Sequence, residues 1–357
     1  MDFAYKFSAV RGVQAGRIYY IAMVPLKMLS KLFPADDEYV LPEYRAQRKL
    51  NTSRIPIISR YILKNRDTYV FSALAGSIDG DFSFNEVENA PGTGILEVSM
   101  DSRFLLNDGQ HRKAAILEAL KEDSSIGDET ISVVLFEDKG LERSQQIFTD
   151  LNKHAIKTSN SLSELYDSRD ILAVLTRNTI AKIEFLDKFT DKETDNLGKY
   201  SSNLFTLNIF YKANKRIIKS NKIDKDTEDF LVRFWRSVVE NIIPWNEVQH
   251  KELSKKELRE SYIITQGVVI QAFGKVGEFF YCHKEIKVEK KLEKLQDINW
   301  KRNAKEWKLR TIRADGRIIA NEKAIILTSN IIKKILGLPL NEDEEDREAD
   351  FLLGLRK

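Results

Sequence analysis

The chain is 357 residues long, enough for two domains and a sizeable core, and its 42% hydrophobic and 31% charged residues are ordinary for a soluble globular protein. A net charge of +3 does not by itself mark a nucleic-acid binder, so the distribution of charge has to be read instead. The single cysteine, Cys282, excludes an internal disulfide and fits a reducing cytoplasm, and no Cys/His zinc site is visible.

The N-terminus lacks a basic stretch followed by an apolar one, and Ile18–Leu29 is short and broken by Pro25 and Lys27, so neither a signal peptide nor a membrane span is expected. Residues 3–24 predict two strands, around Phe3–Val10 and Arg17–Val24, joined through Val13–Arg17. Pro25 precedes a short helical turn at Leu26–Leu32. Arg45, Gln47, Arg48, Asn51 and Arg54 lead into a helix from about Pro56 to Asn65, with Pro56 suited to the first turn. Tyr69–Leu74 reads as the next strand and Ser77–Gly80 as a turn.

Leu96–Leu120 is the stretch around which the rest is organised. It reads as strand, tight turn and helix. Leu96, Val98 and Met100 alternate with polar residues, the apolar run Phe104–Leu106 stops at Asn107-Asp108-Gly109, and Ala114, Ala115, Leu117, Ala119 and Leu120 have helical spacing. Gln110, His111 and Arg112 then fall in the first helical turn, where backbone N–H groups are unpaired and the macrodipole is positive. Gly109 allows close approach to the backbone, and Arg112 suits bidentate contact with phosphate, so the stretch is a plausible phosphate cradle.

Beyond it, Thr130–Phe136 reads as a strand, Leu141–Leu151 as a helix, and helical periodicity dominates from about residue 166: Ile171–Thr179, Ile180–Phe189, Leu204–Ile218, Asp226–Val239 and Glu257–Phe273, with breaks at 196–198 and at Pro244. Lys284–Arg317 carries twelve Lys or Arg against six Asp or Glu, with Trp300 and Trp307 among them. Asn321–Leu336, closed by Gly337, reads as a final helical pair, and Glu342–Asp350 holds seven acids and one Arg. The expected class is α+β: a mixed domain over 1–165, a mainly helical domain with the basic segment over 166–340, and an acidic tail over 341–357.

Asp108-Gly109-Gln110-His111-Arg112 is the DGQHR signature. Residues 109–115 also resemble the Gly-Glu-Arg-Arg-x-x-Ala box of ParB proteins and the Gly-Cys-His-Arg box of sulfiredoxins, both of which bind a nucleotide triphosphate there. Together with Arg-Ala-Gln-Arg-x-Leu-Asn at 45–51, Tyr69–Leu74 and Ser77–Gly80, the chain resembles the DndB family, regulators associated with DNA phosphorothioate modification. The resemblance covers nearly the whole chain and is strongest from Arg45 to Asn152. It implies a ParB/sulfiredoxin-like first domain. It also implies a triphosphate site at Asp108, Gly109, Gln110, His111 and Arg112, completed by an Asn box where Asn152 and Lys157 fall. ATP or CTP with Mg2+ is the implied ligand. The implied role is a cytoplasmic repressor, gated by that nucleotide, acting as a homo-oligomer on the promoter DNA of its own operon and alongside other phosphorothioation proteins. The rival reading is a nucleotide hydrolase, ATPase- or CTPase-like, with DNA-nicking activity. No P-loop is present, so hydrolysis would have to use the central site. Gln110 stands where sulfiredoxins carry their nucleophilic cysteine, which rules out that reductase chemistry.

Each candidate has a plainer alternative. Asp108 is either a ligand of the metal accompanying a triphosphate or the polar residue of an Asx-turn. His111 orients phosphate or makes local hydrogen bonds rather than acting as a general base. Arg45, Arg48 and Arg54 reach phosphate or form solvated ion pairs. Lys301, Arg302, Lys305 and Arg310, helped by Arg45 and Arg48, are the expected DNA contacts; the alternative is a charged helix face. Trp300 and Trp307 favour core packing over base stacking. The acidic tail is either disordered or folded over the basic patch. His154 and Cys282 have no partner at ligand or triad spacing, and no metal ligands are assigned among the protein side chains.

Overall fold

The computed structural model describes residues 3–34, 50–137, 141–153, 158–218 and 225–355. The chain divides into two compact units, residues 1–156 and 157–357. The first holds a mixed seven-stranded sheet and the second is mainly helical, so the fold class is α+β.

In the first unit, β1 (Ala4–Gln14) and β2 (Arg17–Pro25) form a hairpin. Gln14 faces Arg17 across a two-residue turn in which Ala15 and Gly16 both have positive φ, the twist that suits tightly paired strands. The remaining strands are β3 (Leu74–Asp79), β4 (Phe82–Glu86), β5 (Thr93–Ser99), β6 (Arg103–Asp108) and β7 (Thr130–Glu137). Their order is β4-β5-β1-β2-β7-β3-β6, and every neighbouring pair is antiparallel except β7 and β3. Alternate residues point inward: Tyr20, Ala22 and Val24 on β2, Leu96 and Val98 on β5, Ile131, Val133 and Leu135 on β7. They pack with Leu29 and Leu32 of α1 (Leu29–Leu32), Ile62 of α2 (Ile55–Lys64), and Ile116 and Ala119 of α3 (Gln110–Glu122). A fourth helix, α4 (Leu141–Lys153), follows β7.

The expected strand at Tyr69–Leu74 is displaced. The strand is Leu74–Asp79, and the expected turn at Ser77–Gly80 is largely strand too. Leu74 through Ile78 are all buried, so both faces are covered and no alternation marks the strand in the sequence. Tyr69 and Phe71 instead lie partly buried against the same core, and the Tyr69 hydroxyl donates to Glu129. The edge strand β4 had no counterpart in the sequence reading.

The second unit contains α5 (Asn160–Tyr166), α6 (Ile171–Ala181), α7 (Glu184–Phe189), α8 (Leu207–Ile217), α9 (Lys225–Glu240), α10 (Ile243–Gln249), α11 (Lys255–Ser261), α12 (Gly267–Cys282), α13 (Val288–Leu292), α14 (Glu322–Leu336) and α15 (Glu342–Gly354). A short parallel pair, β8 (Thr190–Asp191) and β9 (Phe205–Thr206), precedes α8. The core is centred on α12, nine of whose residues are buried. A Cβ at Gly274 would sit 2.6 Å from the Ala213 carbonyl oxygen, so the bare glycine lets α12 lie directly against α8.

Three expectations change here. Glu257–Phe273 is not one helix: residues 262–266 turn between α11 and α12, and the Ile263 N–H bonds the Trp300 carbonyl at 3.0 Å. Pro244 is not a break but stands in the first turn of α10, where its missing N–H costs nothing. Asn321–Leu336 is a single helix, and the acidic tail is the ordered helix α15. Trp300 and Trp307 are 2% and 0% exposed and stack on each other at 5.5 Å, as core residues. No described helix is long and apolar enough to cross a membrane.

Candidate functional site

The signature residues gather four pieces of the first unit. Asp108 ends β6, Gly109 caps α3 with φ +102°, and Gln110, His111 and Arg112 form its first turn, as the strand–turn–helix reading expected. Arg112 is not free at that helix start. One terminal nitrogen donates to the backbone carbonyls of Ser72 (2.8 Å) and Ala73 (2.9 Å) and to the Ser72 hydroxyl. The other donates to the Asp108 carboxylate at 2.5 Å, and the side chain is 18% exposed. His111 accepts, through Nε2, the N–H of Asn51 at 3.0 Å, so this nitrogen carries no proton in that bond. Asn51 in turn caps the turn leading into α2, its Oδ1 accepting from the Ser53 N–H at 3.2 Å. Gly109 is closely approached, but from inside the protein: a Cβ there would lie 2.3 Å from Leu74 Cδ2.

The box therefore pins the approach to α2, the approach to β3, the end of β6 and the start of α3. The partners that complete it, Asn51 at the end of the 45–51 motif and Ser72, Ala73 and Leu74 in the 69–74 motif, lie in the other stretches that carry the resemblance. Ser72 and Ala73 contribute mainly backbone carbonyls, which leave no trace in side-chain chemistry. A neighbouring buried pair, Asn107 Nδ2 to Ser77 Oγ at 2.7 Å, ties β6 to β3.

These bonds bear on a triphosphate. A phosphate cradle needs an uncommitted cation and free N–H groups. The Arg112 charge is balanced by Asp108, which gives one carboxylate oxygen to the pair. In this arrangement a triphosphate would have to draw Arg112 away from Ser72, Ala73 and Asp108. Among the described residues no group of three or more His, Cys, Asp or Glu could hold a metal ion. Asn152 stands near the end of α4, with its side chain outside the described residues, as are Arg45, Arg48 and Lys157.

The expected DNA contacts separate into two kinds. Lys301 and Lys305 are exposed and Arg302 is half-buried, and none has a carboxylate partner among the described residues. They lie on an irregular stretch anchored from within by the stacked Trp300 and Trp307. Arg310 faces the other way. It is 8% exposed, forks onto Glu348 of α15 with two 2.7 Å hydrogen bonds, and lies over the Phe351 ring at 4.2 Å. Its charge is enclosed by the protein, so it presents nothing to a phosphate here.

Glu348 also accepts from Lys334 at 2.7 Å, and both Glu344 oxygens accept from Lys333 at 2.7 Å, with the Asn341 N–H adding a further bond at 3.1 Å. Burial would push the Glu348 carboxyl up, but hydrogen bonds from Arg310 and Lys334 outweigh it and hold it at about 2. The acidic helix thus encloses Arg310 and Lys333, pairs with the exposed Lys334, and leaves Lys301, Arg302 and Lys305 without an acidic partner among the described residues.

Comparison with curated proteins and with solved structures finds no match. The family model described as DndB, DNA-sulfur modification-associated, matches residues 7–339, which takes in both units and stops before α15. By that match over nearly its whole length, the chain belongs to the DndB family and to the DNA phosphorothioation systems with which that family is associated.

Proposed function

We propose that the protein is a duplex-DNA-binding repressor of the operon that encodes its phosphorothioation system. The observation that carries this reading is the set of exposed cations on 284–317 that have no carboxylate partner among the described residues, in a chain of a DNA-modification family. Phosphate neutralisation by Lys and Arg supplies sequence-independent affinity, and Lys301, Arg302 and Lys305 are available for it. Arg310 is left out of the proposed surface because Glu348 holds it. The rival hydrolase has weaker support: Asp108, His111 and Arg112, the side chains it would need, are each engaged in internal bonds.

The test is transcription in vitro from the operon's promoter, with phosphate release from ATP and CTP followed in the same reactions. The reading expects transcript to fall as protein is added, with no protein-dependent phosphate release. Steady phosphate release with unchanged transcript would replace it with the hydrolase. A nucleotide-gated repressor requires Arg112 to leave Ser72, Ala73 and Asp108. A shift in promoter affinity on adding ATP or CTP with Mg2+ would reveal that rearrangement.

A further inference from the structure

We infer that the lysine face of α13 and its continuing 3-10 turn, formed by Lys287, Lys290 and Lys294, is a contact surface for the phosphate backbone of duplex DNA. The inference rests on the DNA-binding reading above and goes beyond it, because it assigns a surface apart from Lys301, Arg302 and Lys305.

The segment from Val288 to Asp297 is short but divided by chemistry. Val288, Leu292 and Leu295 are buried, at 3%, 0% and 0% exposure, and fix which side faces the core. At helical spacing, Lys287, Lys290, Lys291 and Lys294 then share an arc of about 100° on one flank. Glu289 and Glu293 fall on the other flank, Glu289 drawn further aside by Arg233 at 3.5 Å, while Asp297 closes the end of the face one 3-10 turn beyond Lys294. A solvated helix that only needed solubility would intersperse the two signs and gain from their pairing. Here Lys287, Lys290 and Lys294 are exposed and have no carboxylate partner among the described residues.

The end of α14 adds to the concentration of charge. Lys291 Nζ donates to the Gly337 carbonyl at 3.3 Å, which satisfies the negative end of that helix. Lys294 Nζ lies beside it: a Cβ placed on Gly337 would be 3.8 Å from the Lys291 ammonium and 3.9 Å from the Lys294 ammonium. Two ammonium groups thus converge where the helix end already has its cation, and a bridging anion relieves the crowding. From Lys287 to Lys294 the face runs about 10 Å, roughly three base-pair steps at 3.4 Å each, so a duplex can present several phosphates to it in register.

The experiment uses the full chain and two duplexes of equal length, one from upstream of the operon and one unrelated, titrated by fluorescence anisotropy between 50 and 200 mM salt. Lys287→Gln/Lys290→Gln/Lys294→Gln is compared with Lys301→Gln/Arg302→Gln/Lys305→Gln, with circular dichroism to confirm folding and the single reversal K290E as an independent variant. The expected result is a slope of log K against log salt flattened by about 2 to 3 in the first triple variant, since each lost phosphate contact removes about 0.9. Both duplexes should lose affinity together, because phosphate contacts carry little sequence information. K290E should weaken both in the same way. If wild type binds with a steep slope and neither the first triple variant nor K290E changes it, this surface is wrong while the DNA-binding reading stands. If wild type binds neither duplex, both fall.

Discussion

At Gly109 and Arg112 the signature reads as a clasp. Gly109 holds φ +102° with Leu74 against its Cα, so Gly109→Ala meets both backbone strain and a clash with a fully buried leucine. A loss of about 2–4 kcal/mol in chemical denaturation is expected. Arg112→Ala would leave the Ser72 and Ala73 carbonyls and the Asp108 carboxylate without their donor. It should cost about 2–3 kcal/mol, and unchanged stability in either variant would refute the clasp. Glu164 in the second unit offers a different kind of test. Burial and the neighbouring Asp195 and Asp170 charges, opposed by Lys212, push its carboxyl up to about 7, and its Oε2 is buried without a hydrogen-bond partner. A group whose folded pKa is raised contributes stability that is present below its unfolded pKa and lost as pH rises through the folded one. The window here runs from about 4.5 to about 7. Glu164→Gln should therefore stabilise the protein at pH 8 by on the order of 1 kcal/mol, after solvent screening of a half-buried group, and do little at pH 5. Thermal melts that shift equally at both pH values would contradict this.

Among the elements, α15 is the one whose role most needed the structure. Its sequence is a run of acids, which allowed either disorder or a cover over basic residues. What decides is the placement of Glu344 and Glu348 inside, against Lys333, Arg310 and Lys334, behind a capping box between Asn341 and Glu344. Breaking one side of a buried pair leaves an uncompensated charge. Glu348→Ala should lower stability by about 3–5 kcal/mol, while Arg310→Met/Glu348→Leu should recover most of the loss. Because the Glu348 carboxyl is held at about 2, its contribution is present above about pH 4.5 and fades as pH falls toward 2. A Glu348→Ala variant with wild-type stability at pH 7 would show that the pair holds nothing. The elements legible in the sequence were those with one wet face: β1, β2, β5, β7, α2 and α3 announce themselves by period. β3 did not, because Leu74–Ile78 are buried on both sides, and the break at 262–266 did not, because Ile263 and Ile264 continue the apolar pattern through a turn. The box was legible as strand, turn and helix, but the partners of Arg112 were not, since backbone carbonyls have no sequence. The lysine flank of α13 needed the buried stripe before its side could be assigned.

For the whole molecule, a net charge of +3 conceals a division of labour. The acids of α15 include two that are turned inward to balance buried cations, while the lysines of 284–317 remain largely exposed, without carboxylate partners among the described residues. A nearly neutral chain can therefore bind a polyanion, provided its cations are grouped and its acids are occupied elsewhere. The measurement that tests this most directly is the affinity of the unmodified full chain for operon-upstream duplex as salt rises from 50 to 200 mM, with an unrelated duplex alongside. The account predicts a linear fall of log K with log salt, with a slope of about −4 to −6 from some five to six phosphate contacts, and a preference for the upstream duplex of at least about 10³. A flat salt dependence, or no binding to either duplex at 50 mM salt, would contradict it.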